Sequence, residues 1–278
     1  MLLQLQRHCV MLAAMVFTSL ALAQPQPAKK DYEPSVGQSG KDVVWVPTPQ
    51  ALVDRMLDMA KLTPSDIHYD LGSGDGRTVI TAAKRGGRAY GIEYNPEMVE
   101  LAKRNAQKEG VADKAIFKQG DIFTEASKKD YMQASVITLF LLPDLNVKLR
   151  PTLLEMKPGV RVVSNSFTMG DWKEDEKISA GGDCSSWCTA FLWIVPAKVA
   201  GNWKTSRGML ALKQEYQMLS GNLAQGNVNA IISDAKMLGE QISFTAGGAQ
   251  YSGRVAGDTM EGTYKSVGAS TKWTASRQ

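Results

Sequence analysis

The chain has few of the residues that most enzymes use to move protons or hold metals. It contains two histidines and three cysteines in 278 residues. His8 sits in the N-terminal apolar region, so His68 is alone in the rest of the chain. A histidine-based acid/base or nucleophilic site is therefore disfavoured. No metal site is expected, since Cys184 and Cys188 supply only two ligands and His68 falls inside a predicted strand. A large excess of one charge is also missing. The net charge of +4 is too mild to imply nucleic acid or an anionic membrane as partner. Long apolar runs are absent too, as residues 10–22 fall short of the roughly 20 residues a membrane span requires.

What the N-terminus does contain is Arg7, that short apolar run, and Ala21-Leu22-Ala23 before Gln24. This pattern reads as a secretory signal peptide, residues 1–23, and predicts an exported, periplasmic protein. The alternative is an uncleaved anchor, which would bring membrane contact. Cys9 precedes the apolar run and is misplaced for a lipid-anchor cysteine. In an oxidising compartment Cys184 and Cys188, in "GGDCSSWCTAF", read as a disulfide or as free thiols. Residues 24–44 are rich in Pro, Gly and charge without periodicity and read as a linker or arm.

Short apolar runs and helical patterns then alternate. A helix is predicted over 49–62, followed by strands at "DIHYDL", "RAYGIEY", "AIFKQGD", "SVITLFL" and "VRVVSNSF". Helices are predicted at "GRTVITAAKRG", "PEMVELAKRNAQKEG" and "LNVKLRPTLLEMK", the last kinked or restarted by Pro151. This order predicts an α/β, doubly wound, Rossmann-like parallel sheet over residues 45–204. "SSWCTAFLWIVPA" and "NWKTSR" resemble a strand pair. From 205 to 278 glycines recur between short alternating stretches, apart from a weak helical pattern at 210–219, which predicts a small antiparallel β module. Trp203 and Trp273, near its ends, suit an aromatic core.

"YDLGSGDGRTVI" carries the most chemistry. Gly72 and Gly74 can take positive φ and bring backbone close to a ligand, and a helix N-terminus follows. A dinucleotide turn needs a third glycine at position 77, where this chain has Arg77. The spacing is instead Asp70, Gly72, Gly74, Gly76, with Ser73 between the first two glycines. It fits a ligand with an amino-acid end, a ribose and an adenine but no pyrophosphate. Asp70 would receive an ammonium, Glu93 in "GIEYNP" the ribose hydroxyls, and Asp121 in "KQGDIF" the adenine amine. All three end strands at one sheet edge, where such folds bind ligands. Helix capping by Asp70 and a plain surface role for Glu93 are the structural alternatives.

"DLGSGDG", "GIEYNP" and "GDIF", in that order, resemble the class I S-adenosylmethionine-dependent methyltransferases. With "VPTP" and "TLFLLPDLNVKLRPTLLEMKPGVRVVSNSF", the chain is similar to the branch containing the Dot1 histone lysine and ATP-synthase c-subunit lysine methyltransferases. The resemblance covers roughly residues 45–200. It implies S-adenosylmethionine as donor, a protein lysine or other amine as acceptor, and a sheet ending in a reversed β-hairpin, for which residues 186–206 are placed. It also implies that the arm folds over the donor, with Thr48 on the carboxylate end. The acceptor-facing loop is "TLFLLPDLN", with Phe140, Pro143 and Asn146 as candidate residues, although the Asn/Asp-Pro-Pro-Tyr of many amine methyltransferases is missing. Ser164, Asn165 and Ser166 border the acceptor in this reading, and Trp172 either closes the pocket or packs in the core. Methyl transfer of this kind asks for alignment and exclusion of water more than for a covalent nucleophile. Two readings compete with it: an exported, non-catalytic binding protein using the same cleft, and an envelope interaction protein acting through the β module. The tension is that S-adenosylmethionine is a cytoplasmic metabolite.

Overall fold

The computed structural model describes residues 32–182 and 184–278. The predicted signal peptide, residues 1–23, and residues 24–31 of the expected linker lie outside the described residues. The chain enters α1 (Gln50–Met59) directly after Pro49. Leu52, Val53, Met56, Leu57 and Met59 form its buried stripe. It ends short of the predicted residue 62. Lys61 takes φ 49° and the Leu62 amide turns back to the Leu57 carbonyl, a left-handed stop.

The α/β alternation then follows the predicted order with one added helix, α4: β1 (Ile67–Leu71), α2 (Arg77–Lys84), β2 (Arg88–Glu93), α3 (Pro96–Lys108), β3 (Ala115–Gln119), α4 (Glu125–Tyr131), β4 (Val136–Leu139), α5 (Pro143–Leu153) and β5 (Arg161–Asn165). Helix α3 starts on Pro96 with the Asn95 side chain accepting from the Glu97 amide at 2.8 Å. Helix α4 is not foreseen by the sequence. It has no apolar stripe, burying only Ser127 and Tyr131, and it starts because Thr124 accepts from the Ser127 amide at 3.3 Å. Helix α5 does not restart at Pro151, which falls in its last turn before it ends at Leu153.

The first sheet closes with β6 (Glu176–Ser179) and β7 (Thr189–Ile194). Its order is β3-β2-β1-β4-β5-β7-β6. The first five strands are parallel, and β7 runs antiparallel to both β5 and β6. The reversed hairpin is therefore there, but built by residues 176–194 rather than 186–206. Trp193 goes into the first core and its indole donates to the Trp172 carbonyl at 2.7 Å. Trp203 goes into the second core. The expected pairing of "SSWCTAFLWIVPA" with "NWKTSR" does not form.

The remaining strands are β8 (Gly201–Thr205), β9 (Gly208–Glu215), β10 (Met218–Gln225), β11 (Val228–Ile231), β12 (Ser233–Leu238), β13 (Gln241–Ala246), β14 (Ala249–Ala256), β15 (Thr259–Ser266) and β16 (Ala269–Arg277). They form one antiparallel sheet, β11-β10-β12-β13-β14-β15-β16-β8-β9, and β9 also pairs with β10. That extra pairing closes the sheet into a barrel, leaving β11 paired with β10 alone. The module thus begins at Gly201, ahead of residue 205. The weak helical pattern at 210–219 is strand: Leu210, Leu212 and Leu219 alternate into the barrel core. Trp203 and Trp273 are fully buried there, and Phe244 stacks on Tyr251 at 4.6 Å with both rings edge-on to Trp273. The two sheets touch where Gln217 donates to the Lys173 carbonyl at 2.7 Å and Tyr216 stacks on Trp172. Among the described residues no helix is long and apolar enough to cross a membrane.

Candidate active site

Strands β1 and β4 are neighbours although the chain visits β2 and β3 between them, so the strand order reverses at their carboxyl ends. A crevice opens at such a point. Here it is a cleft open at its mouth.

Asp70 ends β1 at the cleft and is buried. Thr138 Oγ1 donates to its Oδ1 at 2.6 Å. Burial, opposed by that hydrogen bond and aided by the nearby Glu93 and Asp75 carboxylates, raises the Asp70 carboxyl from 3.8 to about 7. The same Thr138 oxygen lies 2.8 Å from His68 Nε2. Burial lowers His68 to about 3, so it is neutral, inside the strand predicted for it.

The turn after β1 has Gly72, Gly74 and Gly76 at φ 84°, 51° and 85°, a backbone that L side chains resist. The Gly72 and Ser73 amides both donate to the Ile92 carbonyl, at 2.8 and 3.1 Å. The Gly74 amide donates to Glu93 Oε2 at 3.0 Å, while Glu93 Oε1 accepts from the Asn95 amide at 2.9 Å. Two backbone amides thus fix Glu93 at the end of β2. A Cβ on Gly74 would come within 2.9 Å of the Trp45 indole nitrogen. Gly76 is different: it lies outside the lining, and a Cβ there would meet Phe117 at 2.7 Å and Ala102 at 2.9 Å. Its role is packing of α2 on the sheet. Ser73 Oγ is buried, without a partner, among residues that line the cleft.

Asp121 follows β3. Its Oδ1 accepts from the Phe123 amide at 2.9 Å and its Oδ2 from Lys41 Nζ at 2.5 Å. The Lys41 contact holds the carboxyl below its ordinary value. Lys41 also lies over the Tyr94 ring. Of the two readings of this stretch, linker or arm, residues 38–48 form an arm along the cleft, and sequence reading did not single out Lys41, Trp45 or Tyr94 in its lining. Lys41 stands in a stretch without periodicity, so nothing local announces its partner 80 residues away. Arg77 anchors the other end of this strap. It holds Asp75 through two nitrogens and donates to the Thr48 carbonyl at 3.0 Å. Thr48 is buried in the lining, and its Oγ1 accepts from Asn165 Nδ2 at 3.3 Å.

Of the acceptor candidates, Phe140 lines the cleft, whereas Pro143 and Asn146 do not. Pro143 is exposed at the first turn of α5. Asn146 is fully buried and donates to Ser164 Oγ, the Phe167 carbonyl and the Thr168 carbonyl at 3.1, 3.2 and 3.3 Å. It tethers the chain after β5 instead of facing an acceptor. Trp172 packs in the core between Trp193 and Tyr216 and does not close the pocket. Cys184 and Cys188 form a disulfide, and no group of metal-ligating side chains is found among the described residues.

The cleft lining carries Asp42, Asp70, Asp75, Glu93 and Asp121 against Lys41 and Arg77, and both cations are ion-paired to Asp121 and Asp75. The net field favours a cationic ligand. An unpartnered hydroxyl, the positive-φ Gly72 and Gly74 in the lining and acids at successive strand ends fit an aminoacyl nucleoside.

Residues 70–176 match the ANTKMT methyltransferase domain model. The chain is 42% identical over 156 residues to a protein-lysine N-methyltransferase of Saccharolobus islandicus, covering 55% of this chain and 94% of that protein. It is 33% identical over 140 residues to the ATP-synthase c-subunit lysine N-methyltransferase of Rattus norvegicus, of which it spans 62%, that match covering 50% of this chain. Among solved structures, an RNA methyltransferase from Salinibacter ruber in complex with S-adenosyl-L-homocysteine superposes with a TM-score of 0.50 at 46% identity, covering 55% of this chain and 96% of that one. The family match ends at residue 176, ahead of the barrel. The donor is S-adenosylmethionine, and the chain belongs to the family of S-adenosylmethionine-dependent methyltransferases that includes the protein-lysine N-methyltransferases.

Proposed function

We propose that this enzyme methylates the ε-amine of a protein lysine, with the cleft between β1 and β4 as its active site. The observation that carries this reading is the acidic cleft whose lining cations among the described residues, Lys41 and Arg77, are already paired. Asp70 receives the donor's ammonium, Glu93 the ribose hydroxyls and Asp121 the adenine amine. The turn through Gly72, Ser73 and Gly74 lets backbone approach the ligand, and Thr48 meets its carboxylate. Bound there, the donor supplies an electrophilic methyl group on a sulfonium. The protein aligns the incoming amine and keeps water out, for which Phe140 and the strap of residues 38–48 are placed.

The relative from Salinibacter is described as an RNA methyltransferase. A polyanionic acceptor would need free lysines or arginines along the mouth. Lys41 and Arg77 in the lining are both ion-paired, which supports an amine acceptor over RNA. The disulfide supports the export that the N-terminal pattern predicts, because such bonds persist in oxidising compartments.

Calorimetry with S-adenosylhomocysteine, before and after Glu93→Ala, tests the donor site. Loss of more than about tenfold in affinity is expected from removing a charge-assisted contact. Equal affinity in the variant would remove Glu93 from the donor site.

A further inference from the structure

A second hollow adjoins the donor cleft and shares Phe140, Leu141 and the strap with it. Its far wall is Phe167 and Trp187. We propose that Phe140, Phe167 and Trp187 form the acceptor subsite, an aromatic wall receiving the alkylammonium of the acceptor side chain, and that the Cys184–Cys188 disulfide positions Trp187 in it. The proposal rests on the amine-acceptor reading above and names the residues that select for it.

The three rings form a closed triangle. Phe140 lies 6.2 Å from Phe167 and 5.9 Å from Trp187, and Phe167 lies 5.5 Å from Trp187. The Trp187 ring is inclined 58° and 49° to the other two, so the rings present faces in different directions. Trp187 is 44% exposed, whereas Trp172, Trp193, Trp203 and Trp273 are buried. An indole held out of the core beside two phenyl rings is suited to bind a desolvated cation. The Asp42 carboxylate also borders the hollow, sharing Lys41 with Asp121.

Two turns hold the rings out by strained backbone. Ser166, just before Phe167, has φ 61°, and Trp187 itself has φ 56°. Both are non-glycine residues in the left-handed region, which persists only where the surroundings enforce it. For Ser166 the enforcement is the hydrogen bond its amide donates to the Thr189 carbonyl at 2.7 Å, with Asn146 gripping the Phe167 and Thr168 carbonyls. For Trp187 it is the covalent link between Cys184 and Cys188, which closes the loop immediately before β7. Cutting that link leaves Trp187 free to relax to negative φ and swing away.

The probe is Nα-acetyl-Nε-trimethyllysine amide, a cation that needs no deprotonation. Its binding to the full chain, saturated with S-adenosylhomocysteine, is followed by ligand-observed NMR. The wild type should bind it. Trp187→Ala should weaken binding about tenfold, the scale of a desolvated cation–π contact, while Trp187→Phe keeps most of it. The double variant Cys184→Ala/Cys188→Ala should weaken it severalfold with S-adenosylhomocysteine affinity unchanged. Equal probe affinity in Trp187→Ala and wild type, or no probe binding by a wild type that still binds S-adenosylhomocysteine, overturns the subsite. Full probe affinity in the double cysteine variant overturns the role of the disulfide. Trp187-dependent probe binding in a protein that labels no lysine leaves the subsite standing and defeats the lysine-methylation reading instead.

Discussion

The two sheets treat their buried polar atoms differently. In the barrel the indole nitrogens of Trp203 and Trp273 donate to the Val199 and Ser252 carbonyls at 2.8 and 3.1 Å. Around the first sheet, His68 Nδ1, Ser73 Oγ, Asn146 Oδ1 and Trp172 Nε1 are buried with no partner, and among the described residues no barrel side chain joins them. Each orphaned group costs free energy. Ser73 lines the donor cleft, and His68 lies one hydroxyl away from Asp70. Asn146 holds the turn that presents Phe167. The barrel satisfies its buried indoles, whereas the first sheet carries orphaned polar groups, Ser73 among them, beside the cleft where the ligand belongs.

The comparison breaks most sharply if the barrel can be damaged without touching the cleft. Trp273→Ala should destabilise the protein by about 3–5 kcal/mol in urea unfolding, as large core truncations do. Its folded fraction should bind S-adenosylhomocysteine like the wild type, and a parallel loss of donor affinity would show that the barrel shapes the cleft. The reverse experiment is Gly74→Val. A branched side chain at φ 51°, aimed at Trp45, should weaken donor binding by more than about a hundredfold, about 2.7 kcal/mol, with a much smaller change in melting temperature. Retained affinity would mean that the turn does not hold the donor.

A third test uses protons. Burial raises Asp70 from 3.8 to about 7, so between those values the folded chain keeps a proton that the unfolded chain has lost. Stability from this group is full below 3.8, falls as pH rises, and is gone above about 7. Asp70→Asn should therefore be more stable than wild type at about pH 8, with no difference below 3.8. Donor binding runs the other way, because an ammonium needs the carboxylate. S-adenosylmethionine affinity should rise with pH through about 7 in the wild type and stay flat in Asp70→Asn. Matching pH profiles in both would separate Asp70 from the donor. The smallest effect is expected from Lys41→Ala. It removes an exposed pair with Asp121 and should change donor affinity only a few fold, most at low salt.

The order of elements and the donor turn were legible because both are local patterns. Strand and helix periods, Asp70 with its glycines, and acids at the ends of β2 and β3 can all be read within a few residues. Contacts across long sequence distances were not legible. Lys41 meeting Asp121, Arg77 gripping Thr48, and Phe167 and Trp187 meeting Phe140 leave no periodic trace. The hairpin was misplaced because "WIVPA" and "GNW" are both strand-like, and only tertiary packing sends Trp193 to one core and Trp203 to the other. Helix α4 was missed because its start depends on a Thr124 cap and not on an apolar stripe.

The central claim is that this cleft moves a methyl group from S-adenosylmethionine to a protein amine. It is tested most directly by incubating the purified protein with methyl-labelled donor and an extract of its source cells, then locating the label by mass spectrometry. The account predicts label on lysine ε-nitrogens, resistant to ribonuclease and lost with Glu93→Ala. Label confined to RNA, or lysine label undiminished in Glu93→Ala, would contradict it.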